Sequence, residues 1–190
     1  FPPQNAVFPY RLTNPLYGGI IFPPSGFLQD GNKIRGVCFM DRIASFSVDH
    51  DLIEPGIYIS RIDGDIVTYD LRTRKPNAGD YMDNLTMHTV EHMLATFLRN
   101  SEIGGEVIYF GPMGCRTGFY LLVRGRRPEE VLSALKKALA DTVSYEGAVF
   151  GAARKECGNY RELDLQSAKK ECRRYLSVLE SRENDFRYAE

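Results

Sequence analysis

An Asp-Gly pair between two β-rich segments limits most strongly how this chain can fold. One segment begins at Gly56 and reads G-I-Y-I-S-R-I, the other begins at Asp65 and reads D-I-V-T-Y-D-L, and Asp63 and Gly64 stand between them. Both central positions of a two-residue hairpin turn need positive φ angles, which an Asp-Gly pair adopts readily. The sequence therefore predicts an antiparallel hairpin.

Further strands and helices follow along the chain. Segments 106–110 and 118–123 are β-rich and flank a turn-rich segment, G-P-M-G-C-R-T. Apolar residues at helical spacing predict three helices, from about Thr86 to Arg99, from Pro128 to a stop near Gly147, and from about Asp164 to Leu179. This mixture indicates an α+β domain with about three helices packed on an antiparallel sheet. The polar segment 181–190 is expected to fray.

The composition changes near residue 40. Residues 1–39 hold six of the ten prolines and four charged residues, and they show neither helical nor strand periodicity. They also lack the basic start and apolar core of a signal peptide. We therefore expect 1–39 to be a loop-like leader or upstream extension, with an arm packed on the domain as the alternative. Residues 40–190 are expected to form one domain beginning at Met40.

Charge and cysteine content narrow the classes of function. The formal net charge of -1 gives no electrostatic basis for binding nucleic acid or an anionic membrane. No apolar segment approaches the length of a membrane span. The four cysteines are scattered along 190 residues, which is typical of reduced thiols in a cytoplasmic protein and not of a disulfide framework.

Two of the three histidines lie four residues apart in the first predicted helix, in the sequence M-H-T-V-E-H-M. A helix repeats every 3.6 residues, so His88 and His92 project from the same face and could bind one divalent ion. Glu91 lies beside His92, where it could transfer protons without binding the metal. The order H-x-x-E-H is the inverse of the zincin motif. Two histidines packed or solvated on an ordinary helix are the alternative.

The third histidine and two cysteines are candidates for the rest of such a site. A catalytic metal needs a third ligand, for which His50 is one candidate and Cys157 a better one, because a thiolate next to glycine can approach a metal closely. Two imidazoles and a thiolate suit Zn²⁺ or Fe²⁺. Cys115 in the turn-rich segment could act as a general acid or base if a cation or metal favours its thiolate. Packed, unreactive thiols are the alternative for both cysteines.

Taken together, these motifs resemble the S-ribosylhomocysteine lyase family, the LuxS autoinducer-2 synthases. Five matching stretches occur in the family's order between about Met40 and Leu179. They are S-F-S-V-D-H from Ser45, D-L-R from Asp70 with K-P-N from Lys75, H-T-V-E-H-M-L-A from His88, G-P-M-G-C-R-T-G-F-Y from Gly111, and E-C-G from Glu156 with D-L from Asp164. No single stretch is decisive, but five in order are specific.

The resemblance implies a metal site and two proton-transfer groups. His88, His92 and Cys157 would bind one divalent ion per subunit, Fe²⁺, for which Zn²⁺ or Co²⁺ can substitute. Glu91 and Cys115 would move protons between carbons of the substrate. The family is a homodimer with each active site at the subunit interface.

The resemblance also implies residues that bind the substrate. Ser45, His50 and Arg72 match positions that reach the ribose pocket from the partner chain. Arg99 matches a position near the homocysteine end of the substrate. Tyr109 stands where family members carry an aspartate that helps to hold the substrate's amino group, so this chain departs from the family there.

The implied reaction converts S-ribosylhomocysteine to homocysteine and 4,5-dihydroxy-2,3-pentanedione, the autoinducer-2 precursor. The carbonyl group moves along the ribose from C1 to C3 through enediolates, with the metal as the Lewis acid. Loss of the C4 proton then expels homocysteine by β-elimination.

Two alternatives remain open from the residues alone. An inverted-zincin metallopeptidase would use Glu91 to activate water and would take a glutamate from a downstream helix as its third ligand. A structural metal site in a binding module would have a closed shell of four ligands, with His50 or Cys115 as the fourth.

Overall fold

The computed structural model describes Ile43 and residues 46–189. In this part of the chain, four strands form one sheet, and they are β1 (Gly56–Asp63), β2 (Ile66–Arg72), β3 (Val107–Pro112) and β4 (Gly118–Arg124). Three α-helices accompany them in the same residues, and they are α1 (Asn84–Arg99), α2 (Pro128–Ser144) and α3 (Leu165–Glu180). The sheet is antiparallel throughout, in the order β1-β2-β4-β3. The predicted α+β fold class is confirmed.

The predicted hairpin joins β1 to β2. The turn lies one residue later than predicted, because Asp63 pairs with Ile66 and so belongs to β1, which leaves Gly64 and Asp65 as the turn residues. Of the predicted Asp63-Gly64 pair only Gly64 has a positive φ, of 62°, the left-handed conformation that glycine adopts without a steric penalty. The hairpin places β2 next to β1, and β2 also pairs with β4, so β2 lies in the interior of the sheet.

Alternate residues of β2 serve the two faces of the sheet. Tyr69 and Leu71 are fully buried and belong to the core that the apolar residues of the helices complete. Successive side chains of a strand point to opposite faces, so Asp70 and Arg72 leave the sheet on the other side. Both are nevertheless only 2% exposed, because other parts of the chain cover them.

The C-terminal segment is one of these covers, and the expectation that it frays is wrong for residues 181–189. The Ile59 N–H donates to the Phe186 carbonyl at 2.8 Å, which extends the pairing beyond the edge strand β1. The Tyr188 ring stacks on Tyr58 with centroids 4.8 Å apart. The polar composition concealed these two aromatic side chains, whose burial offsets the entropy lost when the tail becomes ordered.

The predicted extension, 1–39, lies outside the described residues, so the predicted domain boundary stays a prediction. Among the helices that the structure describes, none has both the length and the apolar composition needed to cross a membrane.

Candidate metal centre and active site

Helix α1 presents His88 and His92 side by side. The helix begins after Asp83, whose carboxylate caps it by accepting the Thr86 N–H at 2.6 Å. The two imidazole rings are half-buried one turn apart, with centroids separated by 4.6 Å and planes nearly perpendicular. The helix therefore places both rings on one face, as the four-residue spacing predicts.

Backbone carbonyls orient the two imidazoles. The His88 Nδ1 lies 3.0 Å from the Glu162 carbonyl oxygen, and the His92 Nδ1 lies 2.7 Å from that of Phe150. Because a carbonyl can only accept, each Nδ1 carries the proton and each Nε2 keeps its lone pair. Metal-binding histidines in other proteins are oriented by the same kind of hydrogen bond.

Packing around α1 fixes one of these carbonyls. The Phe150 ring packs edge-on against Phe97 of α1, with ring centroids 5.3 Å apart, so the backbone around Phe150 lies close to His92. Gly151 follows with a φ of 68°, and a β-carbon there would lie 3.1 Å from the His92 Nδ1. Glycine at this position lets the backbone approach the imidazole closely.

Cys157 completes a group of three side chains able to hold a metal. Its Sγ lies 3.3 Å from the His88 Nε2, and the ligand atoms of the three residues all lie within 4.8 Å of one another. The Cys157 N–H donates to Ala153 and the Asn159 N–H donates to the sulfur at 3.3 Å, which suits a thiolate. In tetrahedral zinc sites, bond lengths of about 2.0 and 2.3 Å place N and S roughly 3.5 Å apart, so this group fits a bound ion.

The composition of this group bears on the two alternatives. Within the described residues, the group contains no fourth His, Cys, Asp or Glu, and neither His50 nor Cys115 belongs to it. Three protein ligands are typical of catalytic zinc sites, whereas structural sites have four. The third member is Cys157 and not a glutamate, so the geometry gives no support to an inverted-zincin peptidase.

Glu91 precedes His92 in α1 and is half-buried. Adjacent helical residues point about 100° apart, so Glu91 leaves the helix next to His92 along the chain but in a different direction. Among the described residues, no partner forms a hydrogen bond or an ion pair with it. Glu91 therefore has an unpaired carboxylate, among the described residues, on the same helical turn as a member of the metal group, and its role in proton transfer stays a prediction.

Cys115 belongs to a second cluster, built around β2. The Arg72 guanidinium binds the Asp70 carboxylate through two hydrogen bonds, at 3.0 and 2.5 Å. Its Nη1 donates to the Thr117 hydroxyl at 2.7 Å and lies 3.7 Å from the Cys115 sulfur. Burial is the largest single influence on the pKa of Arg72 and lowers it, but the charge and the hydrogen bonds of Asp70, with smaller contributions from neighbouring groups, together outweigh burial and raise the pKa of the guanidinium above its usual value. A permanent cation therefore lies beside an exposed thiol.

His50 lies in the same region as Arg72. Both line a cavity of about 10 Å³, roughly the space of one water, together with Asp70 and Tyr188. The His50 Nδ1–H donates to the Val48 carbonyl at 3.0 Å. The structure thus brings together two of the three predicted ribose-binding residues, and the third, Ser45, lies outside the described residues.

Arg99 and Tyr109 occupy neighbouring positions near β3. The Arg99 guanidinium donates to the Val107 and Ile108 carbonyls at 3.0 and 3.1 Å. Arg99 is the last residue of α1, where the helix dipole stabilises a positive charge. Tyr109 is 49% exposed, and its ring folds over Gly111, where a β-carbon would clash with the hydroxyl. Substrate binding by Arg99 stays a prediction.

Asp70, Thr117 and Tyr188 were missed as site residues. The spacing of Asp70 and Arg72, two positions apart in a predicted strand, places them on one face and could have identified the pair. Nothing in the local pattern identifies Tyr188, because its contact with Asp70 spans 118 residues of the chain.

Comparisons with known proteins agree with the motifs. The family model for S-ribosylhomocysteinase (LuxS) matches residues 43–185. The S-ribosylhomocysteine lyase of Borreliella afzelii is 40% identical over 156 residues, covering 78% of this chain and 99% of that protein. The S-ribosylhomocysteine lyase of Finegoldia magna is 43% identical over 145 residues, covering 74% of this chain and 92% of that protein. The chain therefore belongs to the LuxS family of S-ribosylhomocysteinases.

Proposed function

We propose that this protein is an S-ribosylhomocysteine lyase, a carbon–sulfur lyase that releases homocysteine and forms 4,5-dihydroxy-2,3-pentanedione, the autoinducer-2 precursor. Family membership supports the activity. The observation that carries it is the convergence of two imidazoles and one thiol from distant segments within 4.8 Å. The free thiols of Cys115, Cys157 and Cys172 support a cytoplasmic location.

His88, His92 and Cys157 would hold one divalent ion, Fe²⁺ in this proposal, with Zn²⁺ or Co²⁺ able to replace it. Such an ion supplies Lewis-acid polarisation to a carbonyl oxygen of the sugar. The protein's part is to keep each Nε2 aimed at one point, through the hydrogen bonds that Glu162 and Phe150 accept. The Asn159 N–H does the same for the sulfur.

Glu91 and Cys115 would divide the proton transfers. Each isomerisation removes a proton next to a carbonyl and returns one to the adjoining carbon, so the sugar keeps its atoms while the carbonyl moves. In the last step a base takes the C4 proton, the C5–S bond breaks, and the departing thiolate of homocysteine is protonated. Glu91, next to His92 along the chain, has a carboxylate that is unpaired among the described residues, and Cys115 has the Arg72 cation 3.7 Å from its sulfur. Two groups of this kind can serve different carbons.

We also propose a homodimer whose active sites combine the two clusters from different chains. Arg72 leaves the sheet on the face opposite the helical core, whereas His88 and His92 lie on a helix. No hydrogen bond or ion pair within the described residues joins the two clusters. The Arg72 cluster, with Cys115, His50 and Ser45, would face the metal group of the partner.

The lyase activity is tested by incubating the protein with S-ribosylhomocysteine and measuring free thiol with and without a chelator. Cys115→Ala and Glu91→Gln should keep the bound metal and lose homocysteine release. His88→Ala should lose both. The control is Glu129→Gln, which changes an exposed helical carboxylate and should retain full activity. Near-normal turnover by the Cys115 or Glu91 variant would contradict the assigned roles.

The shared active site is tested by mixing two inactive variants. If each site combines His88 of one chain with Cys115 of the other, a heterodimer of His88→Ala and Cys115→Ala contains one intact site. Random exchange after unfolding and refolding should then restore about a quarter of wild-type activity, since half the dimers are mixed and each has one working site of two. If both residues serve a site within one chain, the mixture stays inactive.

A further inference from the structure

The C-terminal tail places one side chain, Tyr188, against the cluster of Asp70, Arg72 and Cys115. The tail pairs with β1 through Phe186, and two residues later Tyr188 lies flat on Tyr58, with ring planes only 10° apart. The Tyr188 hydroxyl donates to the Asp70 Oδ2 at 2.9 Å. That same oxygen accepts the Arg72 Nη2 at 2.5 Å.

An unbroken series of contacts runs from this hydroxyl to the thiol. The Asp70 carboxylate accepts hydrogen bonds from the Nε and Nη2 of Arg72, which orients the guanidinium. The remaining nitrogen, Nη1, points at Thr117 and Cys115. The Thr117 hydroxyl and the Cys115 sulfur are themselves 3.1 Å apart. Every residue in this series except Cys115 is buried or half-buried, so water screens these hydrogen bonds and charges only a little.

We propose that Tyr188 is a positioning residue of the reaction, which holds Asp70 so that Arg72 stays against Thr117 and Cys115. The inference rests on the proposed function, in which Cys115 moves protons. Tyr188 supplies the one hydrogen bond to the Asp70 carboxylate, among the described residues, that does not come from Arg72. Without the Tyr188 hydroxyl, the only hydrogen bonds that hold the Asp70 carboxylate come from Arg72, the residue that this carboxylate has to orient.

The hydroxyl is suited to this task. Burial, followed by the charge of Asp70, raises the pKa of Tyr188 above its ordinary value, so the group remains a donor throughout the neutral range. The stack on Tyr58 holds the ring independently of the hydrogen bond. Replacing the tyrosine by phenylalanine therefore removes the donor and keeps the packing.

The test compares Tyr188→Phe with Tyr175→Phe as its matched control. Tyr175 also donates a buried hydroxyl, at 2.8 Å, but to the Gly56 carbonyl and not to the Asp70 cluster. Three quantities are measured for each metal-loaded variant. They are kcat and KM for homocysteine release, and the rate at which iodoacetamide modifies Cys115 without substrate, read by peptide mass spectrometry.

Tyr188→Phe should lower kcat about tenfold with KM changed less than about twofold, as expected for losing one hydrogen bond to a charged group. Alkylation of Cys115 should slow about fivefold at unchanged metal content, because the thiolate is the reactive form. Tyr175→Phe should leave both rates within about twofold of wild type.

Two outcomes would overturn the inference. Unchanged kcat and alkylation in Tyr188→Phe would show that the hydroxyl does not position the cluster. Equal losses in Tyr188→Phe and Tyr175→Phe would show a general loosening of the fold. If wild-type protein releases no homocysteine, the proposed function fails, but the alkylation rates still decide the role of Tyr188.

Discussion

Substitution of Gly151 by alanine perturbs the metal group without touching a ligand. The residue has a φ of 68°, and an added β-carbon would lie 3.1 Å from the His92 Nδ1 and 3.3 Å from its Cε1. The imidazole has to move by a few tenths of an ångström, away from the Phe150 carbonyl that it now meets at 2.7 Å. Two costs follow, one in the backbone and one at His92.

The backbone cost is a loss of stability. A non-glycine residue in the left-handed region costs about 1–2 kcal/mol. The cost at His92 is a loss of metal affinity, because disturbing the hydrogen bond that orients a ligand lowers affinity by about 10–100-fold, or roughly 1.4–2.8 kcal/mol. Gly151→Ala should show both effects.

Gly64→Ala separates the two costs. Gly64 has a similar φ of 62°, but no atom lies within 4 Å of an added β-carbon. Urea unfolding with chelator present should show comparable destabilisation of the two variants. Competition with a chromophoric chelator should show weaker zinc binding only for Gly151→Ala. Equal zinc affinity in both variants would refute the idea that Gly151 and Phe150 fix the position of His92.

Three further substitutions or treatments test the surroundings of the site. Asp83→Ala should lower the free energy of unfolding by about 1 kcal/mol at pH 7 through loss of the α1 cap. Because the Thr86 backbone N–H lowers the pKa of Asp83, the stabilisation that this cap provides should disappear as the pH falls below about 4. Equal urea midpoints for wild type and Asp83→Ala at pH 7 would contradict the role of the cap. Arg74→Met should lower the free energy of unfolding by about 3 kcal/mol in the same assay. The reason is that Glu171, which is only 4% exposed, loses its two hydrogen bonds from Arg74, of 3.2 and 2.7 Å. A decrease of less than about 1 kcal/mol would contradict a buried ion pair. Burial raises the pKa of Cys172 to about 12, so native protein at pH 9 should be alkylated at Cys115 and not at Cys172, and stability should decline as the pH rises from about 9 towards 12. Equal modification of the two thiols would contradict the burial.

The sequence predicted the elements and the two histidines of the metal group because both depend on local or repeating patterns. Helix α1 follows from apolar spacing, and its period places His88 beside His92. The hairpin was predicted from the Asp63-Gly64 pair, although its turn lies one residue later, at Gly64 and Asp65. Cys157 was predicted as a ligand through its glycine neighbour and the family motif, and its sulfur lies 3.3 Å from the His88 Nε2.

The second cluster and the tail could not be predicted in the same way. Burial of Asp70 and Arg72 depends on residues that cover the face of the sheet opposite the helices. The residue pattern of β2 does not indicate that this face is covered. The tail has a polar composition, so its ordering depends on where two aromatic rings find partners. The carbonyls of Phe150 and Glu162 leave no trace in the sequence at all, because every residue has one.

Titration of metal-free protein with Co²⁺ under anaerobic conditions tests the central claim most directly. Absorbance from thiolate-to-cobalt charge transfer and homocysteine release are followed in the same sample. If His88, His92 and Cys157 hold the catalytic ion, both should rise together and reach a plateau at about one ion per chain. Full homocysteine release before any charge-transfer absorbance appears would contradict the assignment of this group as the metal centre.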